Sequence, residues 1–219
     1  MVEDYLYREA VLVAQAMKKA FIDDTDAVEK TVAVLREGGV VIMPTDTVYG
    51  IGCAYDKPSA LEQIIILKGR DEQKPIALLV ASLAMAAEYV VIVPKIKSGL
   101  MELWPGPFTA VFQKITGGGT EGVRVPNHAF VRAVIDAYGK PMSVTSANKS
   151  GQPAQTHSAA VARDFEDSAD TGMLMVDGGD LPDSIASTVV DFTITPPKIL
   201  RTGPISRERL QEIFKTTFQ

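Results

Sequence analysis

The stretch Gly38-Gly39-Val40-Val41-Ile42-Met43-Pro44-Thr45-Asp46-Thr47-Val48-Tyr49-Gly50-Ile51-Gly52 constrains the fold more than any other part of the chain. The glycine pair ends the helix that precedes it. The apolar run from Val40 to Met43 is too short for a helix and has the length of a buried strand. Pro44 breaks the ladder. The chain then leaves through two Thr, an Asp and a Tyr before a second short apolar strand near 51–54. A plain turn needs one or two such residues. The stretch by itself supports two readings, an ordinary strand connection or the wall of a polar pocket.

The rest of the chain alternates in the same way. Residues 4–20 carry Leu6, Val13, Ala14 and Met17 at roughly helical spacing, and a second helix is predicted over about 25–37. Ser59 and Glu62 form a capping-box pattern that opens a helix ending at Lys68-Gly69-Arg70. A strand follows at 76–80, then two short helices within 83–103 broken around Pro94. After the turn Trp104-Pro105-Gly106-Pro107, strands at 109–115 and 122–125 flank a flexible glycine loop, Gly117 to Gly119. A helix near 128–138 leads to strand 141–144, which empties into Thr145-Ser146-Ala147-Asn148. A helix near 158–165, strands near 173–176, 187–193 and 198–200, and a last helix capped by Ser206 complete the series. This alternation predicts a single α/β (α+β) domain over 23–219 with a twisted mixed sheet, and a helical extension over 1–22.

Composition removes several function classes. No segment approaches 18 uninterrupted apolar residues, so a membrane span is not expected. The start, MVEDYLYREA, is acidic and lacks a signal-peptide core. The single cysteine, Cys53, excludes an internal disulfide, fits a reducing cytoplasm, and reads as a buried inert thiol. Two histidines, His128 and His157, are a poor supply for zinc. A net charge of −5 argues against a chain-wide nucleic-acid footprint and leaves a local basic groove open.

Nucleophile elbow, Walker A, GxGxxG, HExxH and CxxC patterns are all missing. Any enzymatic reading therefore rests on cations and hydroxyls, the equipment of positioning and electrostatic catalysis. Lys68, Arg70 and Lys74 place three cations within seven residues, either as solvated charges at a helix end or as a polyanion site. Arg124 and Arg201 each interrupt apolar strand-like sequence. If either points inward it needs an anion; otherwise it faces solvent. Ser146 with Asn148, and Ser187 with Thr188, are caps, turns and strand starts, or pocket walls.

In order along the chain, PTDTVYGIG, KGR…KP, LWPGPFTAVF, VRVP, TSANKSG and STVVDF…PPKILRTGP closely resemble the YrdC-type L-threonylcarbamoyl-AMP synthase family over about residues 25–215. The resemblance implies an open, twisted α/β domain with a large concave basic cavity. It implies a reaction in which L-threonine, bicarbonate and ATP, with Mg²⁺ on the phosphates, give threonylcarbamoyl-adenylate and pyrophosphate. A separate transferase then uses the product to modify adenosine in tRNA. It assigns catalytic positions to Lys68, Arg70, Ser146 and Asn148. ATP contacts fall to Arg70, Lys74, Thr120, Ser146 and Arg201. Threonine contacts fall to Thr47, Arg124, Ser187 and the backbone of Val144, while Thr45 and Tyr49 brace their loop.

The sequence departs from the family pattern at Leu79, where some members have His, and at Ala154, where Ser is common. Longer members carry a second domain, so this chain is expected to be the single-domain form. Two other readings stay open: a YrdC-like binder of double-stranded RNA or tRNA without synthase activity, and a carbamoyl-adenylate domain of the hydrogenase-maturation type. The scarcity of cysteine weighs against the second.

Overall fold

The computed structural model describes residues 17–71, 75–166 and 172–219. In chain order the elements are β1 (Lys18–Phe21), α1 (Ala27–Arg36), β2 (Val41–Met43), β3 (Gly50–Ala54), α2 (Pro58–Lys68), β4 (Ala77–Leu79), α3 (Leu83–Ala86) and α4 (Pro94–Leu103). They continue with β5 (Phe108–Gln113), β6 (Thr120–Arg124), α5 (Ala129–Tyr138), β7 (Met142–Ser146), α6 (Ser158–Asp164), β8 (Leu174–Asp177), β9 (Thr188–Asp191), β10 (Lys198–Arg201) and α7 (Arg207–Phe214). The strands form one mixed ten-stranded sheet in the order β1-β8-β2-β3-β7-β4-β6-β5-β9-β10.

Strand alternation sends successive side chains to opposite faces, and the register makes the two faces continuous. Ile42 lies opposite Ile51, Cys53 opposite Ser143, Ser143 opposite Leu78, Leu78 opposite Val123, Val123 opposite Ala110, and Ala110 opposite Val190. This face is covered along its length. Ile42, Ile51, Cys53 and Met175 pack on Ala60 and Ile64 of α2 and on Val161 and Phe165 in and after α6. Leu78, Ala110, Phe112, Val123 and Val190 pack on Leu100 and Leu103 of α4 and Leu210 of α7.

On the other face, Val41, Met43, Val144, Leu174 and Val176 pack on Val32 and Leu35 of α1 and on Val131, Val134 and Ile135 of α5. Those two helices cover the β8-β2-β3-β7 part. The same face over β4, β6, β5 and β9 carries a cavity instead.

Two local expectations change. Lys18–Phe21, expected to lie in a helix running through residue 20, pairs in parallel with Leu174–Asp177 as the edge strand β1. The unpaired edge of β8 outweighs a weak helical spacing; the expected helix over 4–16 lies outside the described residues. Ser59 does not cap α2. Pro58 occupies the first turn with Lys57 before it and no side-chain cap, because proline's fixed φ and missing N–H already suit that position. Ser206 does cap α7, its Oγ accepting from the Arg209 N–H at 3.2 Å. Gly117 to Gly119, all at positive φ, turn the β5–β6 hairpin. Among the described residues no helix is long and apolar enough to cross a membrane.

Candidate active site

The cavity, about 400 Å³, lies where one face of the sheet is short of bulk. Its floor is made by every second residue: Gly50 on β3, Ala77 and Leu79 on β4, Thr120, Gly122 and Arg124 on β6, Thr109 and Val111 on β5, Val144 and Ser146 on β7, and Val189 and Asp191 on β9. Glycine matters most under Val144. A Cβ on Gly50 would lie 2.8 Å from Val144 Cγ1, and one on Gly52 would lie 2.6 Å from Val144 Cγ2.

The polar exit from β2 forms one wall. Thr45 Oγ1 accepts from the N–H groups of Thr47 (3.1 Å) and Val48 (3.3 Å) and donates to the Val48 carbonyl (2.7 Å). Tyr49 is fully buried. Its hydroxyl donates to the Gly179 carbonyl at 2.6 Å and accepts from the Gly178 N–H at 3.0 Å, and burial raises its pKa. Thr45 and Tyr49 thus brace the loop, and both line the cavity together with Thr47. The Ser184 hydroxyl donates to the Thr47 carbonyl from the far side.

Arg124 is buried and bound on three sides. Its Nε donates to the Gly106 carbonyl at 3.0 Å, Nη1 to Thr47 Oγ1 at 3.0 Å and Nη2 to Asp46 Oδ1 at 2.6 Å. The Gly106 carbonyl is presented by the Trp-Pro-Gly-Pro turn, which is pinned where the Trp104 indole donates to the Phe108 carbonyl at 2.7 Å. A guanidinium has five N–H donors, so two of Arg124's remain for a ligand.

Across the cavity, Ser187 Oγ lies 2.8 Å from Thr109 Oγ1. Arg201 donates to the Ser187 carbonyl (2.9 Å) and to Ser187 Oγ (3.0 Å). Gly203 permits this approach: a Cβ there would lie 2.3 Å from the Thr188 nitrogen. Arg70 completes the cationic wall. Gly69, at φ 59, caps α2 in the left-handed conformation, and Arg70 then turns in to reach the Pro75 carbonyl at 3.0 Å and Thr145 Oγ1 at 3.4 Å. Burial lowers the Arg70 pKa. Burial first, then the charges of Arg124 and Arg70, lower that of Arg201. Three guanidiniums thus meet in one cavity, and such a cluster suits anions.

Of the residues singled out from sequence, Thr47, Arg70, Thr120, Arg124, Val144, Ser146, Ser187 and Arg201 line this one cavity. Lys68 and Asn148 do not. Lys68 is 2% exposed, and its ammonium donates to the carbonyls of Ser146 and Asn148, the latter at 2.5 Å, with Asn148 Oδ1 at 3.4 Å. Asn148 Nδ2 donates to the carbonyls of Lys149 (2.9 Å) and Gln152 (2.7 Å). The pair ties the end of α2 to the loop after β7. Burial first, then the Arg70 charge, lowers the Lys68 pKa to about 8. Lys74 lies outside the described residues. Leu79 lines the cavity; Ala154 is not among its lining residues.

Sequence reading missed Asp46 as the partner of Arg124, and Thr109 and Asp191 as cavity residues. Asp191 had a usable signal, a lone charge in the apolar run Val189-Val190-Asp191-Phe192. Cys53 is buried away from the cavity, where desolvation pushes its thiol up to about 12. No cluster of three or more metal-ligating side chains occurs among the described residues.

Known proteins carry the same architecture. A crystal structure of Pyrococcus abyssi Sua5 complexed with L-threonine superposes with a TM-score of 0.81 at 28% identity, covering 93% of this chain and 62% of that one. The threonylcarbamoyl-AMP synthase of Pyrococcus abyssi is 34% identical over 188 residues, which is 82% of this chain and 54% of that protein. The mouse protein of the same name is 36% identical over 196 residues, 82% of this chain and 68% of its own length. The chain thus spans between about half and two thirds of these relatives. The Sua5/YciO/YrdC family model, described as telomere recombination, matches residues 33–203. That span takes in all the cavity-lining residues described above, and with these identities it establishes that the chain belongs to the Sua5/YciO/YrdC family.

Proposed function

We propose that the chain is an L-threonylcarbamoyladenylate synthase, a nucleotidyltransferase that converts L-threonine, bicarbonate and ATP into threonylcarbamoyl-AMP and pyrophosphate. The observation that carries this reading is the meeting of Arg70, Arg124 and Arg201 in one small cavity with Thr47 and Ser187. Such a site suits two anionic reactants that repel each other in water. The Pyrococcus relative bound to L-threonine and the curated relatives' names support the substrate class.

The residues divide the work. The two free donors of Arg124 take the threonine carboxylate, and Thr47 and Ser187 flank it. The threonine amine captures bicarbonate-derived CO₂ as a carbamate. A carbamate oxygen then forms a bond to the α-phosphorus while the bond from that phosphorus to the β-phosphate oxygen breaks, and pyrophosphate departs. Arg70, Arg201, Ser146 and Thr120 hold the nucleotide, with Lys74 a further phosphate cation. Lys68 and Asn148 position the Ser146 loop. No protein nucleophile is required; binding and electrostatic stabilisation supply the acceleration.

The cavity offers one carboxylate, Asp191, and no cluster of metal ligands among the described residues. That donor set does not make a protein-held Mg²⁺ site, and any Mg²⁺ arrives on the phosphates. The volume is that of a small-molecule site, which favours ATP over duplex RNA as occupant. We assign the activity, in the cytoplasm, to a unit that takes in the expected 23–219 and also β1, since Lys18–Phe21 belongs to the same sheet and not to an extension. A separate transferase would pass the product to tRNA.

The test is incubation with ATP, L-threonine and labelled bicarbonate. The expected result is labelled threonylcarbamoyl-adenylate with one pyrophosphate per product, dependent on all three reactants. Pyrophosphate release that ignores threonine would overturn the reading.

A further inference from the structure

We infer that Asp191 is the residue that reads the ribose of the nucleotide, its carboxylate accepting hydrogen bonds from the sugar hydroxyls. The inference rests on reading the cavity as the ATP site and asks what a carboxylate does there. Among the described lining residues Asp191 is the single acid, facing a cavity that holds three arginines. An acid in an anion site opposes binding unless it meets a donor on the ligand.

Asp191 is held to face one. Its Oδ1 accepts from the Thr193 N–H at 2.8 Å and from Thr193 Oγ1 at 2.6 Å, which fixes the carboxylate at the end of β9. No hydrogen bond or ion pair among the described residues occupies Oδ2. Lys198, directly across on β10, makes no ion pair with it.

Its place along β9 selects the part of the nucleotide. Arg201 is bonded to Ser187, at the amino-acid end, and lies opposite Val189 in the sheet. The phosphorus under attack has to lie at that end, because the carbamate grows from the amino acid. Asp191 is the next residue on the same face of the strand, about 7 Å further on. That step matches the reach from a 5′-phosphate to the ribose hydroxyls and falls short of the base edge. Beside it, Val111 and Gly122 form an apolar and open floor. A neutral ribose hydroxyl donates to a carboxylate without bringing a second negative charge.

The test compares ATP with 2′-deoxy-ATP and 3′-deoxy-ATP in threonine-dependent pyrophosphate release by wild type, Asp191→Ala and Asp191→Asn. Asparagine keeps Oδ1 for Thr193, so the turn survives in that variant. Wild type should prefer ATP over at least one deoxy analogue by roughly 10- to 100-fold in kcat/KM, the range of a hydrogen bond to a charged group. Asp191→Ala should lose most of that preference, chiefly through KM for ATP, with the deoxy analogue handled as by wild type; Asp191→Asn should lose part of it, because its Nδ2 donates a weaker neutral hydrogen bond to a ribose hydroxyl. A preference unchanged in both variants, or equal losses on all three nucleotides, overturns the inference. If wild type shows no threonine-dependent release at all, the proposed function fails instead, so the two failures are distinguishable.

Discussion

Lys68→Met isolates what the buried ammonium contributes, because methionine fills nearly the same space without charge. Two opposing quantities set the outcome. Removing the ammonium strands the Ser146 and Asn148 carbonyls, each losing a charged donor in a buried setting; an unsatisfied buried group costs about 1–3 kcal/mol, so the pair costs about 2–6 kcal/mol. Against this stands the desolvation of the charge. A pKa lowered from 10.5 to about 8 means that the folded state disfavours the charged form by about 3 kcal/mol relative to water. The net change in stability is then a few kcal/mol at most.

The local effect is larger. Lys68 also receives the Ser150 N–H on its own carbonyl at 2.8 Å, and Lys149 Nζ donates to the Leu67 carbonyl at 2.9 Å. The ammonium is thus the centre of a latch between α2 and the loop that carries Ser146. Loosening that latch by about an ångström is enough to lower turnover roughly 100-fold. Urea unfolding gives the first quantity, and pyrophosphate release per folded molecule gives the second. Wild-type turnover in Lys68→Met would refute the latch; a loss of activity fully explained by unfolded protein would reduce Lys68 to a structural residue.

The pH dependence carries a sign. Between about pH 8 and 10.5 the unfolded chain holds the Lys68 proton and the folded chain has released it, so this group makes stability rise with pH across that window, by up to about 3 kcal/mol. Lys68→Met should lack that rise.

Arg124→Gln leaves the Asp46 carboxylate stranded beside its vacated partner and should cost about 3–5 kcal/mol in urea unfolding, while Arg124→Gln with Asp46→Asn should recover at least half of that without restoring the KM for threonine. Arg70→Ala should keep the urea midpoint close to wild type, since its bonds reach one carbonyl at 3.0 Å and one hydroxyl at 3.4 Å, yet weaken ATP binding in calorimetry by about 1.5–3 kcal/mol. Gly203→Ala drives a Cβ to 2.3 Å from the Thr188 nitrogen and should cost about 1–3 kcal/mol of stability, with KM for ATP rising as Arg201 leaves Ser187.

What the sequence made legible follows from physics that is local. The strands from β2 to β10, the helices near 58–68 and 129–138, and the Ser206 cap appear where short-range patterns place them. Arg124 was legible as a dilemma: a charge within apolar sequence has either a buried anion or water beside it. Only the fold selects the anion, because Asp46 reaches it from the far side of a loop 78 residues away in sequence. Lys18–Phe21 was not legible, since pairing with β8 is long-range.

Lys68 and Arg70 show the remaining limit. They stand two residues apart in one basic motif, which reads as a single cationic patch. Gly69 separates them, and its left-handed backbone reverses the direction of the chain between them. Lys68 ends up on the inner side of α2 with the Ser146 loop, and Arg70 ends up in the cavity. One patch thus becomes a latch and a ligand contact, and a side chain at Gly69 would change both. Gly69→Ala, with nothing within 4 Å of the new Cβ, therefore tests backbone conformation alone. It should cost about 1 kcal/mol or more for a left-handed residue with a Cβ and lower turnover by more than that stability change explains. Turnover that follows stability alone would show that the two cations do not depend on the turn between them.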